Sequence, residues 1–196
     1  MSLYETLVHT DFVIAVGLLV VVPLALLLAS VNQTEVRDRL LVYWRASALL
    51  GITVYLWIGE QPMGFATGFA SRALIPLALW RGDALNVLRG RSVPTGHDWR
   101  SVAFRRWRTA AIAYSLLGLA YMLPLLPCAA TGTGPLCEIW YGPPQQYADW
   151  LHPTVEPIWL GRYGWVALGI YAAYLLSTAV RLQRDLMERQ ASNSTE

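Results

Sequence analysis

The chain has 196 residues and a net charge of +2, with 55% hydrophobic and only 14% charged residues and a mean hydropathy of +0.38. A soluble domain ordinarily carries about 25% charged residues, and several apolar runs here approach the roughly 20 residues that a helix needs to cross a bilayer core. These values exclude an ordinary soluble domain, and a nucleic-acid partner is a poor inference because the 15 basic residues, all Arg, fall where membrane topology accounts for them.

The first predicted span, residues 12–31, is almost purely aliphatic and contains Pro23, which frees the Leu19 carbonyl to find another partner. Glu5 and Asp11 precede it without any basic residue, so the positive region of a cleavable leader is missing and the span is expected to be retained. A loop with Glu35, Arg37, Asp38 and Arg39 leads to the second span, 41–59. Arg45 lies one turn inside it and can reach back to the headgroups. Trp44 and Trp57 sit near its ends, as interfacial aromatics do.

Glu60-Gln61-Pro62 connects to the third span, 63–80, with Arg72 at its middle. A central Arg costs about 2.5–3.5 kcal/mol on insertion, and the six large apolar residues of the segment return roughly 2–3.5 kcal/mol. The segment is marginal alone and is expected to insert as a hairpin with the second span.

Residues 81–108 hold seven arginines. Within them, after Asp98 as a candidate helix cap, Trp99, Phe104 and Trp107 interleave with Arg100, Arg105, Arg106 and Arg108. This stretch reads as a basic interfacial helix lying on anionic headgroups before the chain turns into the fourth span, 109–127. Trp99, Arg100, Arg105, Arg106, Trp107 and Arg108 are thus candidate lipid contacts, with docking of a partner as the alternative. His97 reads as loop.

The connection 128–158 has three acids and no Arg. Cys128 and Cys137 lie in it, on the side expected to be oxidising, and a disulfide between them is expected to add about 2–3 kcal/mol. Their spacing is neither a zinc pattern nor the C-x-x-C of a redox pair. His9 and His152 share this side as exposed residues rather than metal ligands. Trp140, Tyr141, Tyr147, Trp150 and Trp159 read as an interfacial belt, with a pigment, quinone or subunit surface as the alternative. The last span, 159–180, is followed by Arg181, Arg184 and Arg189 and a frayed tail, 191–196.

Charge parity supports the third span. If all five segments cross, twelve arginines fall on one side, and only Arg162 falls opposite, among Glu5, Asp11, Glu60, Glu138, Asp149 and Glu156. If the third does not cross, the arginine-rich 81–108 segment faces away from Arg37 and Arg39. The expectation is a single all-α transmembrane domain, residues 1–190, a bundle of about five helices with the amino terminus outside or lumenal and the carboxyl terminus cytoplasmic.

Arg72 is the sharpest site candidate, because an ionisable group at mid-membrane suggests function. Pro76 removes the donor for its carbonyl. Tyr55, Tyr114 or Tyr121 are placed to face it, and Arg45 is a second intramembrane cation. Arg72 can serve an anion, a headgroup or a partner's carboxylate, but a structural Arg hydrogen-bonded inside the bundle is preferred. Gly64 with Gly68, and Gly169 with Ala173 and Ser177, mark close helix contacts.

No phosphate-binding loop, dinucleotide fingerprint, metalloprotease or serine-hydrolase motif occurs. Paired intramembrane carboxylates are not seen, which disfavours a proton-coupled carrier, and five spans suit inverted-repeat transporters badly.

Residues 41–80 carry Tyr43-Trp44-Arg45-Ala46-Ser47, then Ile52 to Leu56, then Arg72 with Leu74, Ile75 and Pro76. This run resembles a family of short cyanobacterial integral membrane proteins known only as a domain of unknown function. The resemblance implies a bacterial plasma or thylakoid membrane and no activity or site residue. The functional expectation is a non-enzymatic accessory, assembly or structural subunit of a larger membrane complex, with a photosynthetic complex as one such case. Its partners are membrane lipids and other subunits; no cofactor is expected, though the bundle leaves room for bound lipid or pigment. The alternative is a small transporter or channel using Arg72 as an anion site.

Overall fold

The first helix starts well ahead of residue 12, because Ser2 and Glu5 cap it reciprocally: the Glu5 amide donates to Ser2 Oγ at 3.2 Å and the Ser2 amide to Glu5 Oε2 at 2.7 Å. The computed structural model describes residues 2–81 and 94–193. In it α1 (Leu3–Val16) runs through a π-helical turn (Gly17–Val21) into α2 (Val22–Ala29). Together these form one apolar rod of 27 residues, Leu3–Ala29. Asp11, expected in the outer flank, is therefore inside the rod.

Pro23 cannot donate to the Leu19 carbonyl, and the widened turn lets the Val22 amide reach Gly17 O. The Tyr43 hydroxyl donates to the freed Leu19 carbonyl, and the Trp107 indole donates to Leu18 O at 2.8 Å. The partner that the sequence demanded for Leu19 thus comes from the next helix.

Helix α3 (Thr34–Ile58) and α4 (Met63–Arg81) form an antiparallel hairpin. Gly64 and Gly68 are the reason they close: a Cβ on either would overlap the Trp57 indole or the Met122 methyl. Trp57 is consequently buried against α4 rather than facing headgroups.

Helix α5 (Trp99–Met122) is continuous, so the basic segment is the first three turns of that helix and not a separate interfacial one. Asp98 caps it, accepting from the Ser101 amide at 3.3 Å and from Gln33 Nε2 at 2.9 Å. The Ser101 hydroxyl, then Gln33, hold its carboxyl down to about 2. Pro124 and Pro127 stop the helix in a 3-10 turn, Leu123–Leu125.

The connection between α5 and α8 is mostly helical: α6 (Cys128–Thr131) and α7 (Pro135–Leu151), joined by the expected Cys128–Cys137 disulfide with a Cα–Cα distance of 5.7 Å. Gly132, at φ 66°, turns the chain between them where a side chain would also strike Pro62. Helix α8 (Pro157–Asn193) absorbs residues 191–193, expected as tail; 194–196 lie outside the described residues, as do Arg89 and Arg91.

Among the described residues, four helices are long and apolar enough to cross a membrane: Leu3–Ala29, Thr34–Ile58, Trp99–Leu125 and Pro157–Arg181. Helix α4, with 19 residues, spans about 28 Å at 1.5 Å per residue, and its Arg72 lowers its apolarity.

Candidate functional site

Two large apolar clusters and a small one (Ile58, Ala148 and Leu160) make up the core among the described residues. One large cluster gathers Leu19, Tyr43, Ile75, Leu79, Phe104, Trp107 and Ala111. The other gathers Val8, Trp57, Phe65, Met122, Leu125, the disulfide, Trp140 and Tyr141. Helices α1, α4 and α5 also contribute the polar side chains Asp11, Arg72 and Tyr114.

These three residues meet. Arg72 Nη2 pairs with Asp11 Oδ2 at 2.5 Å, with side chains only 4% and 15% exposed. The Tyr114 hydroxyl lies 2.6 Å from Asp11 Oδ1 and 2.7 Å from Asp11 O, donating to the carboxylate or the carbonyl. The guanidinium carbon stands 5.2 Å from the Tyr114 ring centroid. The carboxylate therefore receives a charged donor on one oxygen and a phenol on the other, which offsets the desolvation of both charges.

Gly118 completes the cluster. A Cβ there would overlap Arg72 Nη1, Cζ and Cδ. The guanidinium thus lies flat on the α5 backbone, in space that only glycine leaves. Beside the pair is an apolar crevice of about 60 Å³ lined by Phe12, Ala15, Leu50, Val54 and Pro143. That is room for a few waters, and the guanidinium faces a carboxylate of its own chain where an added anion would bind.

The other expected residues are dispersed. Tyr55 meets His152 just after α7, hydroxyl to Nε2 3.1 Å, and does not reach Arg72. Tyr121 joins the aromatic cluster with Tyr4 and Trp140. His9 pairs with Gln146, Nε2 to Oε1 2.8 Å. Arg45 is exposed on the α3 face toward α8.

The basic start of α5 divides in two. Trp107 is buried; Arg108 Nε donates to Leu79 O at 2.8 Å, bracing the end of α4; Arg105 donates to Pro94 O and Gly96 O, each at 2.9 Å. Trp99 and Arg106 remain exposed, and the half-buried Arg100 stands over the Trp99 ring at 5.5 Å. Along α7 and the start of α8, Trp140 and Tyr141 are core residues, whereas Trp150 and Trp159 are exposed. Burial, with Glu60 and Glu138 nearby, raises the Tyr141 phenol above its usual value.

Sequence reasoning missed Asp11 and Gly118. No group of three or more His, Cys, Asp or Glu stands close enough to hold a metal among the described residues. Nor does the cluster present a nucleophile beside a base; what it can do is clamp α1, α4 and α5 through a buried charge pair. A family model described as a protein of unknown function (DUF3177) matches residues 5–187. No curated protein and no solved structure matches the chain.

Proposed function

We propose that this chain, which belongs to the family described as proteins of unknown function (DUF3177), is a non-enzymatic accessory or assembly subunit of a larger membrane complex. It crosses a bacterial plasma or thylakoid membrane, of the cyanobacterial kind, five times, with the amino terminus outside and the carboxyl terminus in the cytoplasm.

The observation that carries the subunit reading is α8. Along Pro157–Arg181, Leu160, Gly161, Gly164 and Tyr171 are the buried residues, and α8 packs chiefly on α3. Its opposite side carries Gly169, Ala173 and Ser177 at spacing four, all exposed. In lipid, small residues in such a row favour close approach of another helix over contact with acyl chains. Gly169 meets nothing within 4 Å that a Cβ would touch.

The fifth crossing is supported by the Asp11–Arg72 pair. The charge that makes α4 marginal is matched by an acid from α1, so the two helices carry no net charge into the bilayer together. With α4 crossing, the arginines at the start of α3, those from the end of α4 into the start of α5, and those at the end of α8 share one side, in keeping with the positive-inside pattern.

Electrophoresis of mild-detergent membranes under native conditions tests the subunit reading. The chain is expected in a band far above its 21.9 kDa, and Gly169→Leu/Ala173→Leu is expected to release it. Migration only as a free monomer would refute the reading.

A further inference from the structure

Helix α8 crosses α3 at a close contact and then diverges, leaving a groove between itself and the α3–α4 hairpin. A Cβ on Gly161 would overlap Gly59, and one on Gly164 would press on Leu56. Further along, the Tyr171 hydroxyl reaches the Ala46 carbonyl at 3.5 Å. Beyond the close contact is a groove of about 140 Å³ to which α3 gives Val42 and Ala46, α4 gives Leu74 and Leu77, and α8 gives Tyr171 and Leu175. Its surface is almost wholly hydrocarbon, apart from one charged residue, Arg45.

Three features say what covers this groove. Its depth is set by the helix pairing. Gly59, Leu56 and Ala46 on α3 meet Gly161, Gly164 and Tyr171 on α8, so the two run antiparallel. Arg181, ten residues past Tyr171, therefore comes level with the charged first two turns of α3, which hold Glu35, Arg37, Asp38 and Arg39. Arg45 lies six residues beyond Arg39, about 9 Å deeper.

Its charge is unmet. Arg45 is exposed and makes no hydrogen bond or ion pair among the described residues, in contrast to Arg72, Arg105 and Arg108. An unpaired Arg at that depth is costly in hydrocarbon, and its flexible stem can lift the guanidinium to headgroup level. Finally, the leaflet is defined: on the five-span reading this end faces the cytoplasm, where anionic lipids gather against arginines.

We propose that this groove binds an anionic phospholipid, with one acyl chain along Val42, Ala46, Leu77 and Leu175 and the phosphate paired with Arg45. The inference rests on the membrane-spanning reading and not on the subunit reading, so the free or assembled state of the chain does not enter its test.

The full chain in mild detergent is titrated with phosphatidylglycerol or phosphatidylcholine of the same acyl chains, and retained lipid is read by native mass spectrometry. Wild type is expected to bind one phosphatidylglycerol at least tenfold more tightly than phosphatidylcholine. Arg45→Gln is expected to abolish that preference, and Ala46→Phe, which fills the groove but keeps the charge, to lower retention of both lipids. Arg162→Gln, an exposed arginine at the opposite end of α8, is expected to stay within twofold of wild type. Equal binding of the two lipids by wild type, an unchanged preference in Arg45→Gln, or an equal loss in Arg162→Gln would each overturn the proposal. An acidic protein that co-purifies only when Arg45 is present would overturn it too. Arg45 is exposed, so its variant reports on the site even if Ala46→Phe fails to fold.

Discussion

Asp11→Asn should unbalance the bundle more than any other single change of one atom type. The amide keeps the shape of Asp11 and an acceptor for Tyr114, but leaves the Arg72 guanidinium, 3% exposed, without its counter-charge. Removing one partner of a buried pair costs about 3–5 kcal/mol, and an unmatched Arg at the centre of a span costs about 2.5–3.5 kcal/mol on insertion. Both lines of reasoning give about 3 kcal/mol, which lowers the midpoint of a chain this size by about 6–12 °C. The double variant Asp11→Leu/Arg72→Met removes both charges and keeps the volume, and should recover most of the loss, since apolar replacement of a buried pair is often neutral. The assay is thermal unfolding in mild detergent followed by circular dichroism, run as a double-mutant cycle. If Asp11→Asn melts with wild type, or the double variant is no better than the single one, the pair does not stabilise the bundle and the reasoning fails.

Three further outcomes are expected. Gly118→Ala should destabilise by about 1–3 kcal/mol through overpacking, and the penalty should shrink in an Arg72→Ala background, because the overlap is with the guanidinium; thermal melts of the four variants check this. Reduction of Cys128–Cys137, or Cys128→Ser/Cys137→Ser, should cost about 2–3 kcal/mol, read as a lower melting temperature with dithiothreitol that the double variant no longer shows. The Asp98 carboxyl sits below its usual 3.8, at about 2, so its contribution is full above pH 3.8 and disappears as pH falls toward 2. Wild type should lose helical signal in that window, and Asp98→Ala should lack the step and fray at the start of α5.

Much of the fold is legible in the sequence because bilayer spans are long and apolar, and because Pro23, Gly64 and Gly68 announce their consequences. The orphaned Leu19 carbonyl follows from Pro23 alone; which hydroxyl serves it depends on how α3 packs, which no local pattern encodes. Arg72 is visible as an oddity, but its partner is hidden by where the first helix is taken to begin. The signal was there: Ser2-x-x-Glu5 is a capping box, and it starts the helix at Leu3, placing Asp11 two turns inside instead of in an outer flank. Gly118 is one glycine among fifteen, and its role depends on a side chain arriving from another helix. The basic segment 98–108 shows the opposite limit. Its alternation of Trp and Arg suits an interfacial helix equally well, and only the acceptors at Leu18, Leu79 and Pro94 separate Trp107, Arg105 and Arg108 from the exposed residues.

The central claim is that the Asp11–Arg72 pair carries α4 across the bilayer. Compartment reporters inserted near residues 95 and 145, in wild type and in Asp11→Asn, test it most directly. Wild type should give a cytoplasmic signal at 95 and an outer signal at 145, and Asp11→Asn should mix them. Both reporters on one side in wild type would contradict the five-span arrangement.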